Sequence, residues 1–147
     1  MITVSEMKNR ILAYMEEAGA HRLNPLINTV LDPIGVPEEV AIFQQALEQL
    51  VRSNLILIFM TSMDAPRDLL DRDSELQALA ALPANYKYFP DEKLWHDIRC
   101  AGPPYYVKPE PEAELTDAGM ERSIELVEEH GHEWWHPGRY PSSNAGQ

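Results

Sequence analysis

Three histidines and a carboxylate crowd into His130-Gly131-His132-Glu133-Trp134-Trp135-His136, the densest grouping of ligand-type side chains in the chain. Zinc takes three or four such groups in a tetrahedral array, and Gly131 could turn the backbone enough to gather them. The spacing matches no zinc pattern, however, and no cysteine is near. Histidines that follow a helix suit the negative end of its dipole, and Trp134 and Trp135 are suited to packing a terminal segment onto a domain. His130, His132 and His136 are therefore weak metal candidates, and no metal is expected.

Cys100 and His96 are four residues apart, so on a helix they could form a thiolate and its base. No oxyanion donor or orienting group accompanies them, and a buried structural cysteine is the expectation. Glycine-rich phosphate loops, dinucleotide fingerprints and serine-nucleophile motifs are absent from the sequence. Glu125, Glu128 and Glu129 form a charge run of the kind that solvates a helix face. The chain is accordingly expected to be no enzyme, to need no cofactor and to take no small-molecule substrate. Tyr86, Tyr88, Phe89, Trp95, Tyr105 and Tyr106 stand apart as either the core of an insertion or a contact surface of the kind interfaces favour.

At 147 residues, with 12 basic and 24 acidic side chains and a formal charge of −12, the chain has room for one domain with decorations. That charge repels polyphosphate and anionic lipid at long range. The single cysteine allows no intrachain disulfide. The first residues lack the apolar stretch of a signal peptide, and the longest apolar run, Leu55 to Met60, is too short to span a bilayer. A cytoplasmic protein with no membrane contact is expected.

The elements that would position these residues follow from periodicity and caps. Thr3 and Glu6 have capping-box spacing, and Met7, Ile11, Leu12 and Met15 then share a helical face that Gly19 ends. Asn24-Pro25 predicts a second helix carrying Leu26, Ile27, Val30 and Leu31, closed by Asp32-Pro33. A turn at Asp32-Pro33-Ile34-Gly35-Val36 leads to a third helix that starts at Pro37 and buries Val40, Phe43, Leu47, Leu50 and Val51. Six apolar residues from Leu55 predict a strand covered on both faces. Between 64 and 104, Asp73 or Ser74 could cap a helix bearing Leu76, Leu79 and Leu82, and Asp91 a short one bearing Leu94, Trp95 and Ile98. Tyr105-Tyr106-Val107 reads as a strand and Lys108-Pro109-Glu110-Pro111-Glu112 as a stiff exposed turn. Thr116 caps a last helix with Met120, Ile124 and Val127 on its apolar face.

Leu47-Glu48-Gln49-Leu50-Val51-Arg52-Ser53-Asn54-Leu55-Ile56 resembles the end of a winged-helix recognition helix entering its wing strand. Leu115-Thr116-Asp117-Ala118-Gly119-Met120-Glu121-Arg122 resembles the opening of the helix that follows the wing in many bacterial winged-helix regulators. The resemblance covers roughly residues 3 to 60 and 105 to 130. It implies a mainly α winged-helix-like domain over 1–136 with a small antiparallel β-sheet built on Leu55 to Met60 and Tyr105 to Val107. The stretch at about 64–104 departs from the family as an insertion in the wing region, and the low-complexity composition of 137–147 predicts a flexible tail. The resemblance also implies a frequent dimer, with DNA contacts from the third helix and the wing. Those contacts would fall on Glu38, Glu39, Gln44, Gln45, Glu48 and Arg52, with Lys108 at the wing and Tyr105 and Tyr106 beside it. Gln44 and Gln45 could read adenine edges, but three of the six helix positions are carboxylates, which repel phosphate. A protein partner or a second copy is therefore favoured over DNA, with a DNA-binding transcriptional regulator as the alternative. Glu39 and Glu48 are both expected to lie off the buried stripe.

Overall fold

The computed structural model describes residues 1–62, 65–99 and 109–135. Their order is α1 (Val4–Met15), β1 (Ala20–Arg22), α2 (Leu23–Val30), α3 (Pro37–Arg52), β2 (Ile56–Ser62), β3 (Ala65–Leu69), α4 (Arg72–Ala80), α5 (Leu82–Asn85), β4 (Tyr86–Phe89), β5 (Leu94–Asp97), β6 (Glu110–Leu115) and α6 (Asp117–His130). The described residues thus combine helices with a small antiparallel sheet ordered β1-β6-β2-β3, and add a separate β4-β5 hairpin.

The predicted starts of α1 and α3 match the structure. Thr3 Oγ1 accepts from the Glu6 N–H at 3.1 Å, and Pro37 opens α3 where its missing N–H has no intrahelical partner to lose. The expected stripe of α3, from Val40 to Val51, is buried throughout. The second helix begins earlier than expected, at Leu23, so Asn24 lies within its first turn and does not cap it.

Strand β6 returns from the far end of the chain to lie between β1 and β2, pairing Ile56 with Leu115 and Ala20 with Glu114. The residues around Thr116 lock this return to the end of α3. Thr116 Oγ1 accepts from the Gly119 N–H at 3.0 Å and donates to the Asn54 carbonyl at 2.7 Å, while the Thr116 N–H donates to the Leu55 carbonyl at 3.0 Å. A Cβ on Gly119 would stand 1.9 Å from that Leu55 oxygen, so only glycine lets α6 approach so closely. The Leu-Thr-Asp-Ala-Gly run is thereby a joint between two chain crossings.

Other expectations fail. The strand that pairs with β2 is Glu110–Leu115, not a turn; Pro111 fits because β1 reaches only Glu112, so β6 is an edge at the proline. Leu94, Trp95 and Ile98 belong to no helix, since Leu94–Asp97 is β5 and pairs Tyr88 with Trp95 and Phe89 with Leu94. The cover of β2 is also uneven. Ile56 and Ile58 are fully buried, whereas the opposite face carries half-buried Leu57 and Phe59 under the Arg67 guanidinium, 3.9 Å from the Phe59 ring centroid.

Between β3 and β4, Asp71, not Asp73 or Ser74, caps α4 by accepting from the Ser74 N–H at 2.8 Å. That placement points Glu75 at the sheet. Strand β3 pairs with β2 from Phe59 onward and leaves the Ile58 N–H without a ladder partner; Glu75, 3 % exposed, accepts it at 2.9 Å. Arg72 braces the same carboxylate at 3.5 Å and donates to the Asn54 side chain at 2.6 Å. Leu79, Leu82, Tyr86 and Trp95 join one apolar cluster with Ile11, Phe43, Leu47 and Ile58, so the segment from α4 to β5 shares one core with α1, α3 and β2. Replacing Glu75 by alanine leaves a buried N–H without an acceptor and is expected to cost about 1–3 kcal/mol in urea unfolding; a loss below about 0.5 kcal/mol would show that water replaces the carboxylate.

Candidate functional site

The hairpin meets the frame at α2 and the turn that leads into α3. On β5, the Trp95 N–H donates to Asn28 Oδ1 at 2.7 Å, and the Trp95 carbonyl accepts from Asn28 Nδ2 at 2.8 Å and Asn24 Nδ2 at 3.0 Å. One carboxamide thus satisfies both polar groups of a strand residue, as a neighbouring strand would. The two asparagines stand four residues apart on one face of α2.

On β4, Tyr88 donates its hydroxyl to the Pro33 carbonyl at 2.8 Å, and its ring lies against Gly35, where an added Cβ would fall 2.2 Å from a ring carbon. Gly35 has φ +74°, a conformation that favours glycine on its own account. Tyr88 and Trp95 pack with ring centroids 5.3 Å apart. A cleft of about 440 Å³ remains between the hairpin and the start of α3, walled by Gly35, Pro37, Val40, Lys87, Tyr88 and Trp95. The aromatic stretch therefore divides: Tyr86 and Trp95 are core, Tyr88 is half-buried, and Phe89 and Leu94 are exposed on the hairpin's outer face.

The predicted contact residues of α3 do not form one face. Glu38, Gln45 and Arg52 are exposed and, with Gln49, share a stripe at helical period. Gln44 and Glu48 are half-buried and bonded to each other at 2.8 Å. Glu39 is 5 % exposed, so its expected outward position is wrong. Its carboxylate turns back to the Asp32 N–H beneath the turn, near Arg10, which lies 3.7 Å from Asp32 and 3.6 Å from Glu6 and donates to the Val30 carbonyl at 3.0 Å. Burial first, and the Asp32 carboxylate second, hold the Glu39 carboxyl above its ordinary range against the opposing pull of that N–H and of Arg10.

Tyr105, Tyr106, Lys108, Cys100 and His136 lie outside the described residues, as do the strand expected over 105–107 and the tail expected over 137–147. His96 sits on β5, bonded to Glu92 at 2.7 Å and edge-on to Phe89, and so is not the helical partner of Cys100 that the spacing suggested. His130 stacks on Trp134 with centroids 4.6 Å apart, and Trp135 packs against Tyr14 of α1 at 5.1 Å, as a packing role for the tryptophans requires. Beside Tyr14, burial lowers the pKa of His21, with Glu112 opposing the shift. Among the described residues, no three His, Cys, Asp or Glu side chains gather in a way that could hold a metal ion, and no helix is long and apolar enough to cross a membrane.

Asn24, Asn28, Gly35 and Tyr88 are the residues that sequence reasoning did not single out as a unit. The usable signal was the alternation and aromatic content of Tyr86-Lys87-Tyr88, which suit a strand. Comparison of the chain with protein families, with curated proteins and with solved structures finds no match to any of them.

The different environments of the two glutamates give a direct test. Glu39→Lys places an ammonium group beside Arg10 and the positive end of α3 and is expected to lower stability by about 1–3 kcal/mol, whereas Glu48→Lys should stay within about 0.5 kcal/mol. Equal midpoints for the two variants in chemical denaturation would contradict the burial of Glu39.

Proposed function

We propose that this chain is a non-catalytic interaction module on a winged-helix-like frame, with a protein partner or a second copy favoured over DNA. The frame is supported by the order α1-β1-α2-α3-β2 followed by β6-α6, and by the Thr116–Gly119 joint at the start of the last helix. The observation that carries the function is the seat of the hairpin. A helix-turn-helix reads DNA with the N-terminal part of its recognition helix while the preceding helix crosses the backbone. Here β5 lies on α2, Tyr88 occupies the turn, and Pro37 and Val40 face the hairpin across the cleft.

The surface left open on α3 is weakly suited to phosphate. Its exposed stripe offers Arg52 against Glu38, with Gln45 and Gln49 neutral. Elsewhere Arg10, Arg67, Arg72, Arg99 and Arg122 are already paired with carboxylates of the same chain. Several cationic contacts are needed even for nonspecific affinity. Protein contact has better material, because Phe89 and Leu94 stand opposite each other on the hairpin and remain 41 % and 39 % exposed, with Ile34 on the adjoining turn 66 % exposed.

The alternative, a transcriptional regulator, rests on Gln45, Gln49 and Arg52 being accessible together. Fluorescence anisotropy with random duplex DNA at low salt separates the two readings, and the favoured one expects no salt-sensitive binding. Tight binding that Arg52→Ala abolishes, or whose salt slope Arg52→Ala flattens by about one unit, would overturn it.

A further inference from the structure

We propose that the turn between α2 and α3 is a proton-operated latch: a proton on Glu39 closes it, and loss of that proton loosens the seat on which Tyr88 holds the hairpin. The device belongs to the fold and does not depend on what the chain binds.

The geometry sets an imbalance of charge in a closed space. Glu39 Oε1 is buried and has no hydrogen-bond partner among the described residues. The groups that face it are the Asp32 carboxylate and N–H from the turn, the Arg10 guanidinium from α1 and, at longer range, the amino group of Met1. Arg10 is shared, since it also pairs with Glu6 and Asp32 and donates to the α2 carbonyl of Val30. One guanidinium therefore serves three carboxylates when Glu39 is ionised. A neutral Glu39 removes one negative charge and the need to solvate an oxygen that water does not reach.

The coupling to the hairpin is short. Asp32 is followed by Pro33, whose carbonyl accepts from the Tyr88 hydroxyl, and Gly35 lies under the Tyr88 ring. Repulsion between ionised Glu39 and Asp32 acts on the segment that carries both contacts. The upward shift of the Glu39 carboxyl sets the sign. The closed turn binds its proton more tightly than the open turn does, so closure is favoured at low pH and weakens as pH rises from about 4.3, the ordinary glutamate value, through the raised one.

The test is a carbon-detected NMR titration of the side-chain carboxyls combined with amide hydrogen exchange on the whole chain, corrected for the intrinsic pH dependence of exchange. The Trp95 amide, held by Asn28, reports the hairpin, and the Leu115 amide, bonded to the Gly19 carbonyl at 2.8 Å, reports the sheet. Trp95 protection is expected to fall severalfold across the Glu39 titration while Leu115 protection holds, and Glu39→Gln should make the Trp95 profile flat. Titration of Glu39 in the ordinary range, a Trp95 profile unchanged in Glu39→Gln, or equal changes at Trp95 and Leu115 would each overturn the proposal. Should Glu39→Gln not fold, Asp32→Asn keeps the question decidable: the Glu39 titration and the Trp95 opening must move down in pH together, and an unmoved pair sinks the latch.

Discussion

The grip of Asn28 on the backbone of Trp95 is the interaction on which the rest of this structure depends. A two-stranded hairpin is marginal on its own in water and presents unpaired N–H and C=O groups along each edge. One carboxamide, bonded at 2.8 and 2.7 Å, pairs an edge of β5 as a third strand would and sets the side chain of Trp95 into the common core. Once Trp95 is placed, its cross-strand partner Tyr88 reaches the Pro33 carbonyl, and the turn before α3 acquires a second wall.

That wall changes what α3 can do. A helix with this position in the chain order would be free to enter a groove if the turn before it were bare. With α4 and α5 packed along α3 and the hairpin seated on α2 and the preceding turn, the accessible part of α3 is a stripe of Glu38, Gln45, Gln49 and Arg52 with no net charge, while apolar surface appears on the outer face of the hairpin. In the proposed function, the surface for contact accordingly lies on the hairpin and not on the helix. The buried Glu39 underneath makes the same junction sensitive to proton activity, so one short turn joins fold, surface and regulation.

Much of the frame was legible in the sequence because it rests on local rules. The capping box at Thr3, the proline at the start of α3 and the threonine cap of α6 each act within one helical turn, and periodicity then identified the buried faces of α1 and α3, whereas α6 buries Gly119, Ser123 and Leu126 and leaves Ile124 of its expected face exposed. What escaped depended on distant partners. Asn24 reads as a cap, yet its carboxamide bonds a residue in the hairpin. Glu39 reads as a first-turn carboxylate suited to the helix dipole, yet it folds back under Asp32. Asp91 reads as a cap because Asp91-Glu92 precedes an apolar pair, whereas a hairpin turn with Lys93 at φ +57° wins once the Tyr88 and Trp95 rings pack against each other at a tilt of 59°. Two prolines made Glu110 to Glu112 look like a turn, and only the shortness of β1 shows why the second is tolerated in a strand.

The hairpin sits on the turn between α2 and α3. Proton–proton nuclear Overhauser effects in the full chain test this seat most directly. Cross-peaks are expected from the Tyr88 ring protons to the α-protons of Gly35, together with cross-peaks from the Asn28 carboxamide to the Trp95 amide. Their absence, with the Tyr88 ring showing contacts only within the hairpin, would contradict it.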